Sequence, residues 1–192
     1  MKLVKFKEVN LGDSFFNNLK EDYDGFEKWF EKKSEDNAYI QKKKDGSLQA
    51  FLYLKIEDEA ITDVTPNFPE AKRLKVGTFK VEAHNTKVGE KFIRMIMHHA
   101  LNAKVEEIYV TIFEKHEGLI KLLKKYGFEK KAIKGNPDNP ESVYVKSMVN
   151  HTDDICKDFP FLHTKGKDKY LLSIYPEFHT ALFPDSILNT ER

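Results

Sequence analysis

A single cysteine, Cys156, leaves no partner for an internal disulfide, so the chain must be held by a packed core. A reducing cytoplasmic setting is the simpler expectation, with Cys156 read as a packed or idle thiol and not as a nucleophile. No apolar run approaches the roughly 20 residues that a membrane-spanning helix needs. The opening Met-Lys-Leu-Val-Lys-Phe-Lys-Glu has no signal-peptide core. A soluble, unexported protein with no membrane partner is therefore expected. An excess of charge of one sign is also missing: 32 basic against 31 acidic residues leave a net +1. No global field draws such a chain to nucleic acid or an acidic membrane surface. Internal repeats and low-complexity stretches are absent too.

What is present is ordinary for a globular protein, with 40% hydrophobic and 33% charged residues in 192, enough for one buried core and a small appendage. Leu3, Val4, Phe6 and Val9 fit a first strand. Phe15, Phe16, Leu19 and Tyr23 fall on one helical stripe and Phe26, Trp29 and Phe30 on another, with Asp24 and Glu27 forming a capping box between them. Two consecutive helices are predicted, whose aromatics belong mostly to the core. Residues 38–43 and 47–57 flank Asp45-Gly46, the strongest hairpin signal in the chain. Lys42-Lys43-Lys44 beside it reads as a solvated edge. Residues 61–72, with two prolines, read as an irregular connection.

The most informative stretch follows. Arg73 to Val81 is a strand. His84-Asn85-Thr86-Lys87-Val88-Gly89 is a polar turn, and Glu90 to Asn102 is a helix with Phe92, Ile93, Ile96, Met97, Ala100 and Leu101 on its buried stripe. A strand that turns into a helix in this way points unpaired backbone N–H groups outward, where the helix dipole favours an anion such as a phosphate. A Cβ at Gly89 would keep a diphosphate from the main chain, while Lys87 and Lys91 add positive charge. Glu107 to Phe113 is a buried strand of the parallel type, and His116 to Tyr126 a second helix ended by Gly127-Phe128. Residues 128–134 and 142–148 are two final strands joined by a loop.

This succession of strand, phosphate turn, helix, strand, helix and Gly-Phe resembles the acyl-CoA-binding half of the GNAT acyltransferase superfamily, over 2–148 in element order and 74–128 in motif. His84 stands where the family has Arg or Gln, Lys87 where it has its first glycine, and Gly89 at its final glycine. His116, Leu119 and Leu122-Leu123 occupy the places of its Asn, Ala and Leu-Tyr, so Leu123 replaces the Tyr that protonates the leaving thiolate in many members. Tyr126, the nearest phenol, sits three residues later and faces elsewhere. The resemblance implies an α/β fold with a GNAT-like mixed, mostly antiparallel sheet flanked by helices, its two central strands parallel and splayed. It implies acetyl-CoA as cosubstrate, contacted by Phe79, Val81, His84, Lys87, Val88, Gly89, Glu90, Lys91 and His116. Glu82, Glu114 and His116 are the candidate catalytic groups, each with a plainer reading: a solvated strand-end carboxylate for the two acids, a helix-start residue bonded to nearby backbone for His116.

The acceptor would be an amine on a small molecule, a peptide or an aminoacyl-RNA. Near-neutral charge gives the last no support. The alternative function is a catalytically inactive GNAT-like binding or regulatory module of a larger protein. Residues 149–192, rich in Phe-Pro and Tyr-Pro pairs, read as an irregular C-terminal extension or the start of a further domain, and a homodimer contact is one of its possible uses. No metal site is expected: His98 and His99 lack further ligands, and Cys156, His163 and His179 are loosely spaced.

Overall fold

A computed structural model describes residues 1–82, 87–135 and 139–161. Residues Met1–Phe161 form one compact unit. Its strands are β1 (Lys2–Lys5), β2 (Asn37–Lys42), β3 (Leu48–Glu57), β4 (Val64–Thr65), β5 (Arg73–Val81), β6 (Glu107–Phe113), β7 (Glu129–Lys134) and β8 (Glu141–Ser147). The helices are α1 (Asn17–Asp22), α2 (Phe26–Lys32), α3 (Val88–Ala103), α4 (Glu117–Lys125) and α5 (Ile155–Asp158). The strands form one sheet in the order β1-β2-β3-β5-β6-β8-β7-β4. Its neighbours are antiparallel except β5 and β6, which run parallel because α3 carries the chain back across the sheet. The fold class is the mixed, mostly antiparallel α/β architecture that the sequence predicts.

One face of the sheet is covered by α3 and α4. Phe92, Ile93, Ile96, Met97 and Ala100 of α3 are fully buried against Ala50 and Leu52 of β3, Leu74 and Val76 of β5 and Ile108 and Val110 of β6. On the opposite face α1 and α2 cover Ala38, Ile40, Phe51 and Tyr53. Most of their aromatics are core, as predicted: Phe6 stands edge-on to Phe51 at 5.3 Å and Phe16 to Phe30 at 5.4 Å. The same face carries a third cluster around Tyr109, Val143 and Val145, closed by the 61–72 connection. Burial of both faces explains why Phe51 and Tyr53 are as hidden as Ala50 and Leu52, where simple alternation predicts a single buried face.

Several local expectations change. The Asp24 capping box does not form: Gly25, with φ at +75°, is the N-cap of α2, and Glu27 turns to Lys20 at 2.8 Å. The α3 helix starts at Val88, one half-turn before the expected Glu90. The 61–72 connection contributes β4, which pairs with β7, and it is tied down by buried Arg73. That guanidinium donates to Glu107 at 2.7 Å and to the Pro69 carbonyl at 2.8 Å. Past Met148, where a domain boundary is expected, the chain stays on the body as far as Phe161. Asp154 caps α5, the Lys146 ammonium donates to the Lys157 carbonyl, and Phe159 stands edge-on to Tyr126 at 6.1 Å. Cys156 is exposed and not packed. Readings placed on 162–192, including His163 and His179, lie outside the described residues.

Candidate active site

The site begins where β5 and β6 part. Their register holds for four pairs, from Arg73↔Glu107 to Val76↔Val110, and then stops, although β5 continues to Val81 and β6 to Phe113. The register of β5 with β3 jumps at the same level, from Tyr53↔Thr78 to Leu54↔Val76, leaving Gly77 as the extra residue of a bulge. Gly77 is required there, since a Cβ would lie 2.6 Å from Cδ1 of Tyr53. The bulge turns β5 away from β6, so β6 supplies no partner to the edge of β5 between Gly77 and Val81. Backbone groups in that position must find another partner.

A cleft of about 1590 Å³ opens along this edge, larger than a single drug-sized ligand needs. Phe79 and Val81 of β5 line it, as do Lys87, Gly89 and Glu90 at the start of α3. The backbone N–H of Lys91 donates to the carbonyl of Lys87, the N-cap of α3, at 3.0 Å, so the helix's own ladder begins there. Glu90 accepts from Lys125 at 2.5 Å, and this bond is the main cause that holds its carboxyl below the usual range. Lys125 thereby screens the one acidic group in the first turn of α3. A Cβ at Gly89 would come within 2.9 Å of Leu122 Cδ2, so this glycine also lets α3 and α4 approach.

At the other end the cleft is walled by the α1–α2 corner. The Tyr23 ring lies 5.2 Å from Phe113, and its phenol stands near Glu141 at the start of β8. Burial first, and Glu141 next, push that phenol well above its ordinary range. Beside it the Asp22 side chain is only 9% exposed; one carboxylate oxygen takes the Lys115 ammonium and the other lies 3.4 Å from His116 Nε2. The floor here is polar: Glu57 accepts from the Tyr109 phenol and lies 2.9 Å from Lys55 and 3.6 Å from Lys75. Burial would raise the Glu57 carboxyl, but the hydrogen bonds from Tyr109 and Lys55, with the Lys75 charge, outweigh it and keep it low.

The structure thus brings Phe79, Val81, Glu82, Lys87, Gly89, Glu90 and His116 to one cleft. Glu82 stands at its mouth between Lys80 at 3.3 Å and Lys43 at 3.8 Å. Val88 and Lys91 are not among its lining residues, and His84 lies outside the described residues. Glu114 is not brought to the cleft: Ser142 donates to it at 2.5 Å and Lys130 at 2.9 Å, and these bonds hold its carboxyl low. His116 starts α4 as its N-cap but makes no side-chain capping bond, and its Nε2 lies 3.4 Å from the Asp22 carboxylate of α1. Leu123 is buried at 1% exposure, and Tyr126 packs on Phe159, so neither presents a phenol to the cleft. Sequence reasoning misses Asp22, Tyr23, Glu57, Gly77 and Glu141. Only Gly77, a glycine inside an apolar strand, carries a local signal for its role.

Among the described residues no group of three or more His, Cys, Asp or Glu could hold a metal ion. No described helix is long and apolar enough to cross a membrane.

No protein-family model and no curated protein sequence matches the chain. Solved structures do match it in fold. A GNAT family acetyltransferase from Elizabethkingia anophelis with acetyl-CoA bound superposes with a TM-score of 0.53 at 12% identity, covering 77% of this chain and 97% of that one. An aminoglycoside 6'-N-acetyltransferase complexed with coenzyme A gives 0.53 at 12% identity over 80% of this chain and 100% of that one. Naa20 of Chaetomium thermophilum, in complex with a bisubstrate analogue, gives 0.52 at 12% identity over 77% and 87%. With its single parallel strand pair splayed at a bulge beside a helix N-terminus, the chain has the fold of the GNAT N-acetyltransferases.

Proposed function

We propose that the protein is an acyl-CoA-dependent N-acyltransferase that moves an acetyl group from acetyl-CoA to an amine. The observation that carries this reading is the open edge of β5 from Gly77 to Val81, leading to the start of α3. The edge offers backbone hydrogen bonds to an extended amide-bearing arm, and the helix terminus offers N–H groups and a favourable dipole to a diphosphate. Phe79 and Val81 would flank the arm, with Lys87 and the backbone of Gly89 and Glu90 at the diphosphate. Acetyl-CoA, when bound, supplies an activated acyl carbon on a thiol that can leave.

The acceptor enters from the α1–α2 side, over the floor of Tyr53, Lys55, Glu57 and Lys75. Its amine must lose a proton to attack; a C–N bond forms as the C–S bond breaks, and the thiolate departs. A backbone N–H of the bulged β5 edge is the nearest kind of donor for the carbonyl oxygen as charge develops there. Among the three candidate bases His116 is the best placed, because it is partly exposed in the cleft and its imidazole is not used to cap α4. Glu82 is held between two lysines and Glu114 lies off the cleft, which leaves them subordinate roles at most. With Leu123 buried, the thiolate takes its proton from water.

The test is release of free thiol from acetyl-CoA in the presence of peptides with free N-termini, polyamines and aminoglycosides, with product masses checked for acetylation. Acetylation of one class supports the reading and names the acceptor. Binding of acetyl-CoA with no turnover of any amine would favour the inactive binding module, which the buried Leu123 also suits. No binding at all would sink both.

A further inference from the structure

The burial of Asp22 needs an explanation that α1 does not provide. A carboxylate at 9% exposure costs several kcal/mol of desolvation unless it is paired. Asp22 is also the last residue of α1, where the helix dipole disfavours negative charge. Its compensation comes from across the cleft, from the Lys115 ammonium and from His116. The corner also packs through the Tyr23 ring, which lies 5.2 Å from Phe113.

Resting on the acyltransferase reading above, we propose that Asp22 is the positioning residue of His116. With its proton on Nε2, 3.4 Å from the Asp22 carboxylate, the imidazole would have its Nδ1 lone pair left to accept the proton of the attacking amine, and the imidazolium that results would be stabilised by the same carboxylate. The 3.4 Å separation is an ion-pair distance that a small shift of either side chain would turn into a hydrogen bond. Lys115 supplies the closer positive charge to the other oxygen of Asp22. Asp24 on the corner itself, Glu117 on the first turn of α4 and Glu141 on β8 also line this part of the cleft. The arrangement couples the base on α4 to the α1–α2 corner that covers the acceptor, so an acceptor that moves the corner also sets the imidazole.

The experiment has two arms, and the first needs no acceptor. Long-range ¹H–¹⁵N spectra of the imidazoles, recorded at a pH where they are neutral, report the tautomer of His116, assigned through His116→Gln. The wild type should hold His116 as the Nε2–H form, Asp22→Ala should show a mixture, and Asp22→Glu should restore much of the single tautomer. In the second arm, Asp22→Ala should lower kcat for the amine selected above by at least ten-fold while acetyl-CoA binding, followed by calorimetry, stays within about two-fold of wild type. An unchanged tautomer in Asp22→Ala would overturn the positioning role whatever the activity. Equal losses of kcat and acetyl-CoA affinity would overturn it as well, since they would mark a purely structural corner. Failure of acetyl-CoA to bind the wild type would instead strike the acyltransferase reading, leaving the tautomer result to stand by itself.

Discussion

At the α3 end of the cleft the groups available to a ligand are backbone: the β5 edge beyond Gly77 and the first turn of α3. At the α1–α2 end they are side chains, Asp22, Tyr23, His116 and Glu141, gathered from α1, α4 and β8 and their connections. Backbone recognition needs only a bulge and a helix terminus, so it tolerates wide sequence change, in keeping with fold likeness at 12% identity. Side-chain recognition depends on which residues meet across the cleft. On the proposed function, acceptor specificity would reside in the second end, and the shared fold says little about it.

The largest effect should come from breaking the framework of the α3 end. Phe92 is fully buried and meets Phe79 at 5.9 Å, so Phe92→Ala should cost about 3–5 kcal/mol in denaturant unfolding and remove acetyl-CoA binding with it. Gly77→Ala pushes a methyl into the Tyr53 ring and should cost about 1–3 kcal/mol. Because Tyr53 belongs to the acceptor floor, that variant should raise the KM for the amine more than it weakens acetyl-CoA binding. The reverse order would contradict the division of the cleft. Tyr23→Phe removes only the phenol near Glu141 and should cost no more than about 1 kcal/mol. It should leave acetyl-CoA affinity unchanged but loosen the corner, seen as faster amide exchange over 22–25; unchanged exchange would show that the Phe113 stacking alone holds it.

The same contrast governs how much could be read from residues alone. The strand–turn–helix at 73–101 and the parallel strand after it are local patterns, set by apolar periodicity and a few punctuating residues, and they predict the parallel pair, which needs a crossover helix to form. Lys87 and Gly89 follow from that pattern, Phe79 and Glu90 from the family resemblance, and all four line the cleft. Glu114 misleads because alternation on β6 cannot tell that Ser142 and Lys130 wait beside it on neighbouring strands. Asp22 and Glu141 are 119 residues apart in the chain, and nothing local marks them as lining one cleft. The Gly25 cap shows the same limit at short range, since a positive φ at one glycine displaces a capping box that the sequence spells out.

The central claim is that the open β5 edge and the start of α3 hold acetyl-CoA, and calorimetric titration of acetyl-CoA into the whole protein tests it most directly. The account predicts saturable binding at about one site per chain, weakening as salt rises. Lys87→Ala, which removes an exposed charge at the α3 N-cap, should weaken binding by about two- to five-fold at low salt and by less at high salt, the scale of one charge at a helix terminus. Gly89 is a poorer probe, because a side chain there also meets Leu122. No heat of binding to the wild type would contradict the account outright, and equal affinity of wild type and Lys87→Ala at every salt concentration would move the diphosphate away from α3.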